Sequence, residues 1–143
     1  MKIIKKEADY AVRALLFIAA KNERVPASAV YSSVKAPRSF MRKILQVLSR
    51  EKVLVSEKGR AGGFRLARKP EETSLLTVVE AFGGRKSRGG CPFDGRACGN
   101  YGFCGLREKL GEIEERIFEK LGKTSLKNLL RREDEKKKDY KDN

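Results

Sequence analysis

The sequence predicts a mainly α-helical protein with one small β-hairpin. Apolar residues repeat at three- and four-residue steps in several segments, which is typical of amphipathic helices. Two β-prone runs, 53–58 and 64–67, flank a glycine-rich turn, which predicts the hairpin. The three cysteines all lie in a glycine-rich segment from Cys91 to Cys104, which we expect to be an irregular loop.

Length and cysteine content limit the class of protein. A chain of 143 residues is enough for one domain with a small extension. No run of about 18 apolar residues and no secretory leader is present, so we expect a cytoplasmic protein without membrane contact. Three cysteines are an odd number for a disulfide scaffold, which favours free thiols or metal ligands.

Positive charge is concentrated in the first half of the chain. Residues 1–69 hold 17 Lys and Arg against 5 Asp and Glu, whereas residues 70–143 hold 16 against 14. A polyanion, with nucleic acid first among candidates, is the partner that this distribution predicts. A lysine-rich surface without such a partner is the alternative.

Three helices are predicted before the hairpin. The first covers residues 7–21, the second begins at Pro26 and ends near Val34, and the third covers residues 37–50. The third has an apolar face of Phe40, Met41, Ile44, Leu45 and Leu48. Two short helices, a turn and a helix with basic residues outward predict a helix-turn-helix, and the following basic hairpin predicts a wing.

The expected DNA contacts are basic and polar residues on the third helix and the wing. On the helix they are Arg38, Ser39, Arg42 and Lys43, and on the wing they are Lys58 and Arg60. Arg is the commonest reader of guanine, whereas Lys more often holds a phosphate. A solvated basic face is the alternative for the helix.

The second half of the chain predicts a dimerisation helix after the cysteine loop. A short helix over 74–82, capped by Thr73 or Ser74, comes first. From Gly105 to Leu121 one apolar stripe runs through Leu106, Leu110, Ile113, Ile117 and Leu121. We expect this stripe to pack on a second subunit, with packing on the chain's own head as the alternative.

These elements predict four segments. They are a winged helix-turn-helix head over residues 1–83, a cysteine loop over 84–104, a dimerisation helix with a short last helix over 105–130, and a charged, disordered tail over 131–143.

Four motifs, in order, are similar to one family. They are A-D-Y-A-V-R-A-L, P-R-S-F-M-R-K-I-L, G-R-A-G-G-F-R-L-A-R and S-L-L-T-V-V-E-A. With the three cysteines, they resemble the Rrf-type winged-helix transcription regulators, whose iron–sulfur members are IscR-like, NsrR-like and RsrR-like. The resemblance covers roughly residues 1–130. It implies a homodimeric regulator, usually a repressor, whose cluster tunes affinity for a pseudo-palindromic operator on double-stranded DNA.

The resemblance also implies a ligand set for the cluster. Cys91, Cys98 and Cys104 match the family's three cysteines, although the first interval is one residue longer than usual. The fourth ligand of IscR-like members is a histidine, but Arg107 stands at that position and the chain has no histidine. NsrR-like members use an aspartate of the partner's first helix, and Asp9 falls at that position. This favours a 4Fe-4S over a 2Fe-2S cluster, sensing nitric oxide, redox state or cluster supply.

Other interpretations of these residues remain open. The cysteines could hold zinc, although the paired C-x2-C spacing of zinc sites is absent. They could instead be a thiol redox switch in a cluster-free regulator. Asp9 could be an ordinary acidic residue at a helix start. An iron–sulfur electron carrier or an enzyme is disfavoured, because the sequence shows no nucleophile–base pair and no nucleotide loop.

Overall fold

The computed structural model describes residues 4–84, 91 and 98–141, and in these ranges it is mainly helical with one two-stranded sheet. The helices are α1 (Lys6–Lys21), α2 (Ala27–Val34), α3 (Arg38–Arg50), α4 (Leu75–Ala81), α5 (Gly105–Lys123) and α6 (Leu126–Lys141). The strands are β1 (Leu54–Glu57) and β2 (Gly63–Leu66), and a short 3-10 helix covers Pro70–Glu72. The predicted fold class is confirmed. Within these ranges no helix is long and apolar enough to cross a membrane.

Helix α1 lies at the centre of the core. It contacts α2, α3, α4, α6 and β2. Small side chains allow this close packing, because Ala11 and Ala14 are fully buried beside Leu15 and Ile18. Helix α3 covers α1 with Met41, Ile44, Leu45 and Leu48, all of them buried. Burying each such side chain contributes about 1.5–3 kcal/mol, so the apolar face predicted for the third helix fixes α3 on the head.

One residue outside the hairpin, Val25, also pairs with strand β2, and the hairpin sequence does not predict this pairing. The two strands of the hairpin pair antiparallel from Leu54 opposite Leu66 to Glu57 opposite Gly63. Val25, between α1 and α2, pairs with Phe64 through two backbone hydrogen bonds, N to O at 2.9 Å and the reverse at 2.8 Å. The wing is therefore attached to the α1–α2 turn near the loop end of its strands.

The C-terminal helix is part of the head rather than a separate unit. The Leu75 amide donates to the Thr124 carbonyl at 2.8 Å, and the Leu126 amide donates to the Thr73 carbonyl at 2.9 Å. Leu126 is fully buried in the same core as α1 and α3. Ser74 caps α4 by accepting from the Thr77 amide.

The structure corrects the expectation of a disordered charged tail. Helix α6 does not stop at Leu130 but continues through residues 131–141. Lys, Arg and Glu are good helix formers, and Arg131 pairs with Glu135 one turn later at 3.4 Å. Low apolar content made this segment look unstructured, although its helix propensity is high and the docked Leu126 turn supplies a nucleus.

One face of helix α5 is buried against the head, and another face is exposed. Phe118 and Glu114 are buried, and α5 packs on α4 of its own head. Leu106 is 65% exposed and Ile113 is 49% exposed, so part of the predicted stripe faces away from the chain. The helix therefore packs on the head with one face and leaves an apolar face uncovered.

Candidate nucleic-acid interface and cysteine loop

The structure presents the predicted contact residues of α3 on its open face. Arg38, Ser39, Arg42 and Lys43 are all exposed, whereas the opposite side of the helix is buried. The Arg38 guanidinium lies over the Tyr31 ring of α2, 5.5 Å from its centroid, which limits where that side chain can point. The first turn of α3 is held on α1 by an edge-to-face contact between Tyr10 and Phe40, with centroids 5.3 Å apart.

The wing places its cations at the tip of the hairpin. Lys58 and Arg60 are exposed and lie in the loop between β1 and β2. Gly59 between them has a φ of +107°, a conformation that L side chains rarely adopt, and the Gly62 amide closes the turn on the Gly59 carbonyl at 3.0 Å. The glycines of this loop therefore form the tight tip that presents the two cations.

A cleft joins α3 to the wing. It has a volume of about 360 Å³. Arg42 from α3 and Lys58 from the wing, both predicted contacts, line the same cleft, so two cations sixteen positions apart in sequence face one open space that a phosphate could enter. Its other lining residues are Tyr31, Leu45, Gln46, Ser49, Ser56 and Phe64.

Sequence analysis did not single out three polar side chains of this cleft, Tyr31, Ser49 and Ser56, and it left the role of Gln46 open. Tyr31, Gln46 and Ser49 line it, and among the described residues the buried Ser49 hydroxyl has no hydrogen-bond partner. Gln46 lies one turn after Arg42 on the basic side of α3, so its outward position could be predicted although its role could not. Tyr31 and Ser49 carry no comparable sequence signal, because their place depends on how α2 and the wing pack against α3.

The three cysteines are free, and their surroundings differ. Cys98 is exposed, whereas Cys91 and Cys104 are partly buried. Cys104 is the N-cap of α5, and its sulfur accepts a hydrogen bond from the Arg107 amide at 3.4 Å. Residues 85–90 and 92–97, which complete the loop, lie outside the described residues.

Asp9 lies in the first turn of α1 and already has a partner. It is exposed and forms an ion pair with Arg13, with Nε to Oδ2 at 3.1 Å and Nη2 to Oδ1 at 3.4 Å. In the described part of the chain, no three metal-ligating side chains come together. A single chain thus does not assemble the predicted ligand set within that part.

Comparison with known proteins places the chain in a family. The model of the Rrf2 family, described as iron-dependent transcriptional regulators, matches residues 4–132. This chain belongs to the Rrf2 family. It is therefore a transcriptional regulator of a DNA-binding family, as the ordered motifs indicate.

Named relatives and solved structures agree with this assignment. Protein aau3 of Rhizobium meliloti is 32% identical over 132 residues, covering 90% of this chain and 84% of that protein. The regulator NsrR of Bacillus licheniformis is 25% identical over 138 residues, covering 88% and 90%. The fold matches CymR, the global cysteine regulator of B. subtilis, with a TM-score of 0.73, 16% identity and coverage of 89% and 95%. It also matches T. potens IscR, with a TM-score of 0.70, 18% identity and coverage of 90% and 85%.

Proposed function

We propose that the protein is a homodimeric repressor that binds a pseudo-palindromic operator with α3 and the wing, and whose operator affinity is controlled through the cysteine loop. The observation that carries the DNA surface is the convergence of Arg42 and Lys58 on one cleft. Arg42 is suited to a base edge or a phosphate, and Lys58 to a phosphate. Arg38, Ser39, Lys43 and Arg60 extend the same exposed surface on either side.

The uncovered face of α5 supports the dimer. Leu106 and Ile113 are large apolar residues on it, and Phe103, just before the helix, is 97% exposed. Exposed apolar residues grouped on one helix favour an interface with a second copy. In such a dimer the two α3 helices would enter successive major grooves, so the operator would have two-fold symmetry.

Donor chemistry supports an iron–sulfur cluster, held by Cys91, Cys98, Cys104 and Asp9 of the partner subunit. Three thiols in a fourteen-residue segment suit a soft, sulfur-rich centre, and the chain has no histidine to offer instead. A bound cluster supplies an iron centre that nitric oxide or oxygen can attack. Asp9 must leave Arg13 to become a ligand, which costs little because both side chains are more than half exposed.

A short path links that ligand to the DNA surface. Asp9 precedes Tyr10, whose ring packs on Phe40 beside Ser39 of α3. A change in how α1 sits against the partner's cysteine loop would therefore shift the first turn of α3. A coupling free energy of about 1–3 kcal/mol between the two sites is enough to switch operator occupancy.

The second candidate is a cluster-free regulator that uses its thiols as a redox switch. It is favoured by one observation: Cys98 is a free and exposed thiol. Oxidation of such a thiol needs neither iron nor a partner's aspartate, so the two candidates differ in metal content.

Metal and sulfide analysis separates the candidates. We expect protein purified without oxygen to contain iron and acid-labile sulfide, near four irons per chain for a 4Fe-4S cluster. The Cys98→Ser variant should lose both, whereas Asp9→Ala should keep its fold and hold a less stable cluster. Wild-type protein with neither iron nor sulfide would contradict the cluster and leave the thiol switch.

The DNA surface is tested by salt-dependent affinity. With a duplex selected from a random pool by the wild-type protein, Arg42→Ala and Lys58→Ala should each weaken binding, and a lost phosphate contact should reduce the salt slope by about 1. Lys120→Ala, which removes an exposed cation of α5, is the matched control and should change neither quantity. Equal losses in all three variants would contradict the assignment of this surface.

A further inference from the structure

The turn between α1 and α2 reaches the tip of the wing through one side chain. The Arg24 guanidinium donates from Nη1 to the Ala61 carbonyl at 2.9 Å and lies with Nη2 2.6 Å from Oε2 of Glu57. Arg24 thus contacts the last residue of β1 and the loop that follows it at once. The planar guanidinium, with donors in a fixed fork, is suited to holding two acceptors in this way.

The loop at the tip of the wing, residues 58–62, has few contacts of its own that would hold it in position. Strand pairing ends at Glu57 opposite Gly63, and the Val25–Phe64 pair holds β2 one residue before that end. Beyond that point, a turn hydrogen bond from the Gly62 amide to the Gly59 carbonyl closes the loop over residues 58–62. A β-carbon built on Gly59 meets nothing within 4 Å, so the tip projects into open space.

Glu57 keeps the Arg24 side chain on the wing. Its second oxygen lies 3.8 Å from Nε of Arg65 on β2, so one carboxylate faces a guanidinium on each side. The Arg24 side chain is 38% exposed, against 52% for Arg65. The Ala61 carbonyl and the Glu57 carboxylate hold the Arg24 guanidinium against the wing.

We propose that Arg24 is a positioning residue that clamps the wing loop, without itself contacting DNA. The clamp is a property of the fold. Its consequence for affinity rests on the proposed function, in which Lys58 and Arg60 contact DNA. Without Arg24 these cations would sample many positions, so ordering them on the DNA would cost binding free energy.

Limited digestion with trypsin tests the clamp without DNA. Trypsin cleaves after Lys58 and Arg60, and a loop must detach from the fold before it fits a protease. In Arg24→Ala we expect cleavage at these two sites to be at least fivefold faster, measured against cleavage at Arg132 in the same digest. Arg50→Ala, which also removes an exposed arginine from an ion pair, is the control for the charge change. Cleavage of Arg24→Ala at the wild-type rate would overturn the clamp, whether or not the wing reaches DNA.

A double-mutant cycle tests the consequence for DNA. We expect Arg24→Ala to weaken binding about five- to tenfold, and never more than Lys58→Ala/Arg60→Ala does, since it acts through those cations. In the Lys58→Ala/Arg60→Ala background, Arg24→Ala should have no further effect. An equal loss in that background would overturn positioning, because it would mean that Arg24 contacts DNA directly. Wild-type affinity of Lys58→Ala/Arg60→Ala would instead refute the wing contacts of the proposed function.

Discussion

Gly63 is the position at which the backbone of the wing comes closest to the rest of the head. A β-carbon there would lie 2.4 Å from the Val25 carbonyl oxygen, 2.7 Å from its carbon and 3.0 Å from the Pro26 nitrogen. All three are backbone atoms, so no side-chain rotation relieves the contact. Gly63→Ala should therefore separate β2 from Val25.

The expected loss follows from the contacts that this separation breaks. Alanine at a positive φ, here 155°, costs about 1–2 kcal/mol in backbone conformation. Losing both hydrogen bonds between Val25 and Phe64 costs about 1 kcal/mol each. Val25 is 3% exposed, and partly exposing it costs about another 1 kcal/mol. We expect the free energy of unfolding to fall by about 4 kcal/mol, a large share of the roughly 5–15 kcal/mol of a typical domain.

Gly59→Ala is the matched control for this prediction. It also places alanine at a positive φ, 107°, but nothing lies within 4 Å of the new β-carbon. Its cost should be the backbone cost alone, about 1–2 kcal/mol. Urea unfolding of wild type and both variants measures the difference. If the two variants differ by less than about 1 kcal/mol, the close approach of Gly63 to Val25 does not stabilise the fold and the reasoning is wrong.

Three further variants test other parts of the structure. Leu126→Ala should lower the free energy of unfolding by about 2–5 kcal/mol in urea titrations, because Leu126 of α6 is fully buried against the head. A loss below about 1 kcal/mol would mean that α6 does not pack on the head. Ile113→Lys should convert the proposed homodimer to monomer in analytical ultracentrifugation without unfolding the chain, and an unchanged dimer would place the interface elsewhere. A hydrogen bond from Lys123 lowers the pKa of Glu119. The Glu119–Lys123 pair therefore stabilises the fold at pH values above the ordinary pKa of a glutamate, and this stabilisation is lost as the pH falls through the lowered pKa of Glu119. The stability gap between wild type and Glu119→Gln should therefore shrink toward acid pH, and a constant gap would argue against the pair.

The helices and the hairpin could be predicted because their sequences contain local periodicity. The face of α3 and the glycine turn of the wing are both readable within a dozen residues. The Val25–Phe64 pair was not predicted, because it joins residues 39 positions apart and Val25 has no strand neighbours in sequence. The first turn of α6 was predicted, but its continuation through residues 131–141 was missed for a different reason: this charged half has helix propensity but no apolar face.

The apolar stripe on α5 shows what the spacing of apolar residues cannot predict. The pattern identified apolar residues on the helix but not which surface covers each of them. The structure buries Phe118, which lies beside the predicted stripe, against the head and leaves Ile113 of the stripe half exposed. A helix that packs on two partners has two apolar faces. The sequence pattern alone does not show which apolar residue belongs to which face.

The sequence predicted the individual residues of the candidate site but not how they are arranged in space. The exposed cations of α3 and the wing follow from charge and order along the chain, whereas the shared cleft of Arg42 and Lys58 depends on tertiary packing. Asp9 was proposed as a ligand from a family resemblance. Its pairing with Arg13, four residues later, is a local signal of the i,i+4 type that could have been recognised.

In the proposed function, the state of the cysteine loop controls operator affinity. The most direct test of this control is the dissociation constant of one selected duplex, at one salt concentration, for protein purified without oxygen and for the same protein after its iron is removed by a chelator. We expect the two constants to differ by about 5- to 150-fold, which corresponds to a coupling free energy of about 1–3 kcal/mol. Equal constants for iron-loaded and iron-free protein would contradict this control.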